Sequence, residues 1–420
     1  MKRWVVVALL AACGAAPAKL EHTPAAPAQP TRRSAINDQQ ATIPKTPQVI
    51  HLEPMRIEVI TDDQGREQVV AYDAGELFDA GNEALIAGRY ERALGHYDQL
   101  LEDFPDSDLT VPALYNAGLA HEEQGEWDAA VRRYADLATR QGTPRDLVDG
   151  VIRMAAVLAE LQRWPDAAKA LDELLERDDL TPSDRIEGLA RLGYVLVESK
   201  DYAGAEDILR SAVGYYAEIR DREVLRSDYF VAMSQYYLAQ IPHRQFSAIP
   251  IRLPDKQTKR DMEAKADRIL IAHDRYLETV ELANPYWASA AGFQIASMQK
   301  EMWDALVLAP IPPRLGPEAA EFYVTEVHRL SRQFLEKALD THQKNAALDG
   351  RGIRTDWTDA SKREADKIAD ILARESTGEL VLPASGSGGA LHTLDIDPGS
   401  ASPGSGRRSP AAYVPGRVDL

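Results

Sequence analysis

The sequence predicts an all-α chain: a solenoid of stacked helix–turn–helix repeats, led by a small β-hairpin and flanked by two tails of disordered composition. Three observations point there. A set of small and aromatic residues recurs at fixed offsets four times between residues 81 and 212. The stretch after it shows helical apolar spacing cut by prolines. Both ends of the chain lack the apolar content that a core needs. Length alone, 420 residues, would suggest two or three domains, but a repeat reads as one elongated unit.

The first repeat starts at Gly81 and places Gly88, Tyr90, Ala93, Tyr97, Leu100 and Pro105 at offsets 7, 9, 12, 16, 19 and 24. Gly118 repeats it with Gly125, Trp127, Ala130, Tyr134 and Leu137; Ala155 with Trp164, Ala167, Leu171 and Leu174; Gly193 with Tyr202, Ala205, Leu209 and Ala212. The starting residues lie 37, 37 and 38 positions apart. Small residues let two helices cross closely, the aromatic after the turn packs across the pair, and proline stops the second helix. The pattern resembles the tetratricopeptide repeat (TPR), a unit of about 34 residues, and the resemblance implies a TPR superhelical solenoid with four repeats over 74–220.

Past residue 220 the match loosens. Tyr229 to Gln240 has the character of a first helix, and the prolines at 242, 250 and 254 predict that 241–257 is not helical. Asp261–Leu282 then supplies a second helix ending at Asn284-Pro285. Tyr286–Leu308 and Glu318–Ala346 form a further pair around the connection 308–316. These are expected as a fifth and sixth hairpin with lengthened inner turns, over 221–350. Thr355 to Leu372, with a cap at Thr355 or Asp356, is expected to be a polar capping helix within 351–374. At the other end, Arg56–Thr61 and Arg66–Tyr72 around Asp62-Asp63-Gln64-Gly65 predict a β-hairpin in 49–73, leaning on the first repeat because an isolated hairpin is marginal.

The N-terminus addresses localisation. Lys2 and Arg3 precede an unbroken apolar run, Trp4–Ala12, far shorter than the roughly 20 residues of a membrane span. The run ends Leu10-Ala11-Ala12-Cys13-Gly14, with the chain's one cysteine, and resembles the lipobox of bacterial lipoproteins. That resemblance implies a signal peptide over 1–12, acylation (palmitate among the chains) of Cys13 and, from Gly14, an outer-membrane, periplasm-facing location. Residues 13–48 and 375–420, rich in Ala, Pro, Gly and Ser, are expected to be a tether and a tail.

The balance of 48 basic and 66 acidic residues, −18 net, repels phosphate backbones and argues against nucleic-acid binding. A single sulfur builds neither a disulfide framework nor a thiolate metal cluster. His121-Glu122 is followed four residues on by Gly125, so there is no HExxH. No histidine has a glutamate three positions away, and Walker, Rossmann and GxSxG patterns are missing. Glu326 with His328, and His273 with Asp274, are spaced to point apart on a helix. The expectation is therefore no catalytic residue, no cofactor, no metal and no small-molecule substrate. The alternative is a cell-wall-remodelling enzyme, or its regulator, using 226–346.

The TPR resemblance places the first helix of each hairpin along a groove, and so assigns partner contacts to Phe78, Asn82, Tyr115, Asn116, Leu119, Glu123, Ile152, Arg153, Glu160, Arg191, Tyr194 and Glu198. The positions where chaperone-binding TPRs carry basic residues hold Glu123, Glu160 and Glu198, which disfavours a carboxylate clamp and suits a basic peptide. A second contact edge is expected on the lengthened turns, at Phe246, Ile249, Ile251, Leu253 and Ile311. In layout the chain is similar to TPR lipoproteins of outer-membrane assembly, Tol-Pal and cell division, and of gliding or secretion machines in myxobacteria-like organisms. The similarity implies a membrane-anchored adaptor whose partners are proteins.

Overall fold

A computed structural model of the chain describes residues 54–61, 65–140 and 144–383. Cys13, the tether and the tail beyond 383 lie outside the described residues. Strands β1 (Met55–Thr61) and β2 (Glu67–Asp73) pair antiparallel, with Arg56 opposite Tyr72. Tyr72 anchors the hairpin. It lies edge-on to Phe104, and its hydroxyl donates to Asp103 at 2.8 Å. Asp73 then caps α1 (Ala74–Ile86), its carboxylate accepting from the Glu76 N–H.

Four helical hairpins follow: α1 with α2 (Tyr90–Asp103), α3 (Thr110–Glu123) with α4 (Trp127–Ala138), α5 (Pro144–Glu160) with α6 (Trp164–Leu175), and α7 (Pro182–Glu198) with α8 (Tyr202–Ile219). Every second helix begins at the aromatic of offset nine. The residue at offset 16 explains the small one at the start. A Cβ on Gly81 would come within 2.5 Å of the Tyr97 ring, and Gly118 and Gly193 meet Tyr134 and Leu209 as tightly. Ala93, Ala130, Ala167 and Ala205 are fully buried at the same crossings. One feature of the turns is hidden in the sequence. Offset seven takes positive φ in all four hairpins, at Gly88 (69°), Gly125 (72°), Gln162 (55°) and Lys200 (69°).

The second half is built from longer helices: α9 (Tyr229–Ala248), α10 (Asp255–Glu281), α11 (Pro285–Val307), α12 (Pro317–Ala346) and, after a 3-10 turn, α13 (Asp356–Ser376). Its interior is aromatic. Tyr236 lies 5.0 Å from Trp287 and 5.7 Å from Tyr276, and Trp357 of α13 lies 5.3 Å from Phe293. Thr355 caps α13 through a reciprocal pair with Thr358. One face of this helix is buried, through Trp357, Ile368 and Leu372.

One expectation is overturned. Residues 241–248 are helical, and α9 runs straight through Pro242. Proline deprives the carbonyl four residues earlier of its partner. That carbonyl, on Leu238, instead accepts from Arg275 Nη1 at 2.9 Å, and burial of Ile241 and Phe246 repays the distortion. The α9–α10 connection is therefore only 249–254. Arg252 fixes it, bonding Asp261 through its backbone N–H (3.0 Å) and guanidinium (2.7 Å), and these bonds hold the Asp261 carboxyl down at about 2.

Candidate functional site

The groove positions assigned from sequence fall on α1, α3, α5 and α7, but half of them face inward. Phe78, Leu119, Ile152, Asn82, Asn116 and Arg191 are all buried. Asn82 Oδ1 accepts from both the Tyr97 hydroxyl and Asn116 Nδ2, each at 2.8 Å. Side chains that looked available for a ligand thus brace one hairpin against the next. A buried amide needs such partners.

Charges on this face are also paired across helices. Arg153 of α5 donates to both oxygens of Glu122 on α3, at 2.8 and 2.7 Å, the bidentate geometry that favours arginine. Tyr134 donates to the same carboxylate at 2.6 Å; burial, and then Glu122, push its hydroxyl well above the usual range. Arg244 of α9 binds Glu198 of α7 through both terminal guanidinium nitrogens. Arg191 pairs with Glu187 at 2.9 Å and sits 5.1 Å over the Phe230 ring, leaving its Nη1 buried without a hydrogen bond. Asp149 stands near Glu187 and Asp184. Burial, reinforced by those two carboxylates against Arg145, pushes it up to about 6.

What remains outward is narrower than the sequence suggested. Glu123 and Glu160 are exposed, and Glu123 accepts from the Tyr90 hydroxyl at 3.3 Å. Tyr115 is half-buried, tilted on Tyr134 at 5.7 Å; Tyr194 is wedged between Trp164 (6.3 Å) and Tyr237 (5.2 Å). The surface of α1–α7 is therefore a braced face with a few acidic groups turned outward.

The second expected edge is rearranged. Phe246 is fully buried, because it belongs to the end of α9 rather than to a loop. Ile249, Ile251 and Leu253 are half-buried and Ile311 is exposed. The two connections do share one side: Arg314 Nη2 of the second donates to Asp255, at the end of the first, at 2.6 Å. Between Phe246–Ile251 and Glu301–Ala309 lies a half-open pocket of about 320 Å³. Its floor carries residues that sequence reasoning passed over. Glu301 accepts from Ser247 at 2.6 Å and lies 3.1 Å from His243 Nε2, whose Nδ1 is 2.9 Å from the Tyr276 hydroxyl. Burial pushes Glu301 up, but His243 and Ser247 outweigh it and its carboxyl sits below the ordinary value. Lys265 also lines the pocket.

Of the residues of the enzymatic alternative, Glu326 and His328 stay apart, whereas His273 and Asp274, expected to point apart, meet through their side chains at an exposed site. Glu326 pairs with Arg329 at 2.7 Å, His273 with Asp274 at 3.4 Å, and His328 is buried against Glu375 at 2.8 Å. Among the described residues no cluster of three His, Cys, Asp or Glu side chains is placed to hold a metal, and no helix is long and apolar enough to cross a membrane.

Helical hairpins stacked in register, each closed by a small residue against a large one, define a helical-repeat protein. The family model for the tetratricopeptide repeat matches residues 78–145 and 152–221, so these stretches are TPR hairpins and the fold is a TPR-type solenoid. Solved structures similar to the chain include a tetratricopeptide repeat protein from Parabacteroides merdae, at 13% identity over 70% of this chain and 98% of that one, TM-score 0.33. The TPR2AB domain of yeast Sti1 in its pHSP90 complex is 14% identical over 71% and 98%, TM-score 0.28, and yeast Tom70 is 12% identical over 72% and 73%, TM-score 0.25. No curated protein matches the chain.

Proposed function

We propose that the chain is a membrane-anchored scaffold, held by acylated Cys13 on the periplasmic side of the outer membrane. There it presents its repeats to a protein subunit of an envelope machine, such as outer-membrane assembly, Tol-Pal and division, or a gliding or secretion complex. The observation that carries this reading is the phase of the four hairpins. Repeats of this family mediate protein–protein contacts, and here their interior side chains are spent on holding a rigid surface rather than on chemistry. The lipobox-like Leu10–Cys13 supports the anchor. One acyl chain gives only marginal membrane binding, whereas several hold.

Tyr115 and Tyr194 are too deeply packed to test the face without harming the fold. Photo-cross-linkers in place of Glu123 and Glu160, with Arg132 on α4 as the control, should give a discrete protein adduct in the native envelope from the first two positions alone. Equal adducts from all three, or none, would overturn the binding face. The anchor is tested separately: Cys13→Ala should abolish labelling by an alkynyl palmitate and release the chain from membranes. Retained label or retained pelleting would refute it.

A further inference from the structure

The pocket between the end of α9, the 249–254 connection and the last turns of α11 holds a positive charge that makes no close ion pair with any carboxylate among the described residues. Lys265 is 3% exposed. Its ammonium donates to the Phe246 carbonyl at 2.8 Å and lies 4.3 Å from the centre of the Phe246 ring. An ammonium has three donors, and this is the one hydrogen bond that Lys265 makes among the described residues. The acids of the pocket are already engaged. Both oxygens of Glu301 serve His243 and Ser247, and both oxygens of Asp304 are held by Lys300 at 3.0 and 2.8 Å. Glu301 acts on Lys265 only through its field, which fails to offset desolvation: burial keeps the ammonium below its ordinary pKa.

A buried charge is costly unless it is paired. The costly group here borders a space of about 320 Å³, the lower end of the range for small-molecule sites. The rest of the wall is apolar: Ile249, Ile251, Ala305, Leu308 and Ala309. An anion with an apolar body would satisfy both halves, its charge on the spare Lys265 donors and its chain along the wall. A dianion would bring a second charge toward Glu301 and Asp304.

We propose that this pocket binds an aliphatic monocarboxylate, with the carboxylate on Lys265 Nζ and the chain against Ile249, Ile251 and Leu308. This revises the expectation that the protein takes no small molecule. The same chemistry is offered by a free fatty acid and by the apolar C-terminal residue of a polypeptide.

Calorimetric titration of the full chain with decanoate should show saturable binding at one site, with decanol at least tenfold weaker. Lys265→Met keeps the length and removes the charge; it should weaken decanoate at least tenfold while helicity is unchanged. Ala305→Trp fills the space and leaves Lys265 in place, so it should abolish binding even if the first variant misfolds. A leucine-terminated peptide that displaces decanoate when its carboxylate is free, and not when amidated, marks a polypeptide terminus as the source. Failure of both peptides to displace it marks the free acid. The proposal is overturned by no saturable binding, by equal affinity for decanoate and decanol, or by wild-type affinity in Ala305→Trp.

Discussion

The two halves of this chain solve the same problem by different means. In α1–α8 each hairpin is closed by a small residue facing a large one, Gly81 against Tyr97 or Gly118 against Tyr134, and the solution recurs every turn of the repeat. In α9–α13 the helices are longer, their crossings are filled by Tyr236, Tyr276, Trp287 and Trp357, and no two hairpins are alike. A repeated local contact leaves a period in the sequence. A large aromatic cluster assembled from four helices leaves none, although it buries more apolar surface per side chain.

The sharpest test of this contrast is Phe246→Ala. Fully buried at the end of α9, the ring should cost about 3–5 kcal/mol on removal, read as a lowered denaturation midpoint. A change within about 0.5 kcal/mol, as expected for a surface connection, would restore the loop reading of 241–248. In the regular half, Gly118→Ala drives a methyl into the Tyr134 ring and should cost about 1–3 kcal/mol. A neutral result would mean that the period does not record the crossing.

Arg275→Met leaves the Leu238 carbonyl without its donor and should cost about 1–3 kcal/mol. With Pro242→Ala also present, the backbone at that position regains an N–H to donate, so the penalty should shrink. Strict additivity in that double-mutant cycle would refute the compensation.

Asp149 gives a pH-dependent comparison. Its carboxyl is raised from 3.8 to about 6 in the folded state, so the folded chain retains a proton that the unfolded chain has lost. That stabilisation is fully present below about pH 4 and is gone once pH has risen through about 6. Asp149→Asn should therefore be the more stable protein at pH 7.5, by about 1 kcal/mol after discounting for the group's partial exposure, and the gap should close at pH 4. A gap that is constant with pH would contradict the burial argument. The smallest effect belongs to the turns. Gln162→Gly and Lys200→Gly should each stabilise by about 0.5 kcal/mol, since glycine carries no penalty at positive φ but is more costly to order. Destabilisation would show that those side chains do more than fill the turn.

Much of the first half could be read in advance because its contacts are local. The aromatic at offset nine marks the start of α2, α4, α6 and α8, and the buried alanine at offset 12 marks each crossing. Pro242 misled because its remedy, Arg275, bonds a carbonyl 37 residues away in sequence, beyond the reach of any local pattern. The groove was legible as a set of helical positions, but the inward turn of Asn82, Asn116 and Arg191 depends on partners supplied by neighbouring helices. Lys265 was indistinguishable from the surface lysines around it, because only the meeting of α9, α10 and α11 buries it.

Arg275 joins more than one break. While Nη1 holds Leu238 of α9, Nη2 holds Glu206 of α8 at 2.7 Å, and its own backbone lies in α10. A single guanidinium therefore fastens the last regular helix to the first two irregular ones, like a bolt through three plates. A load crossing from the regular half to the irregular one would be shared between this joint, the Arg244–Glu198 pair and the core that α7, α8 and α9 have in common.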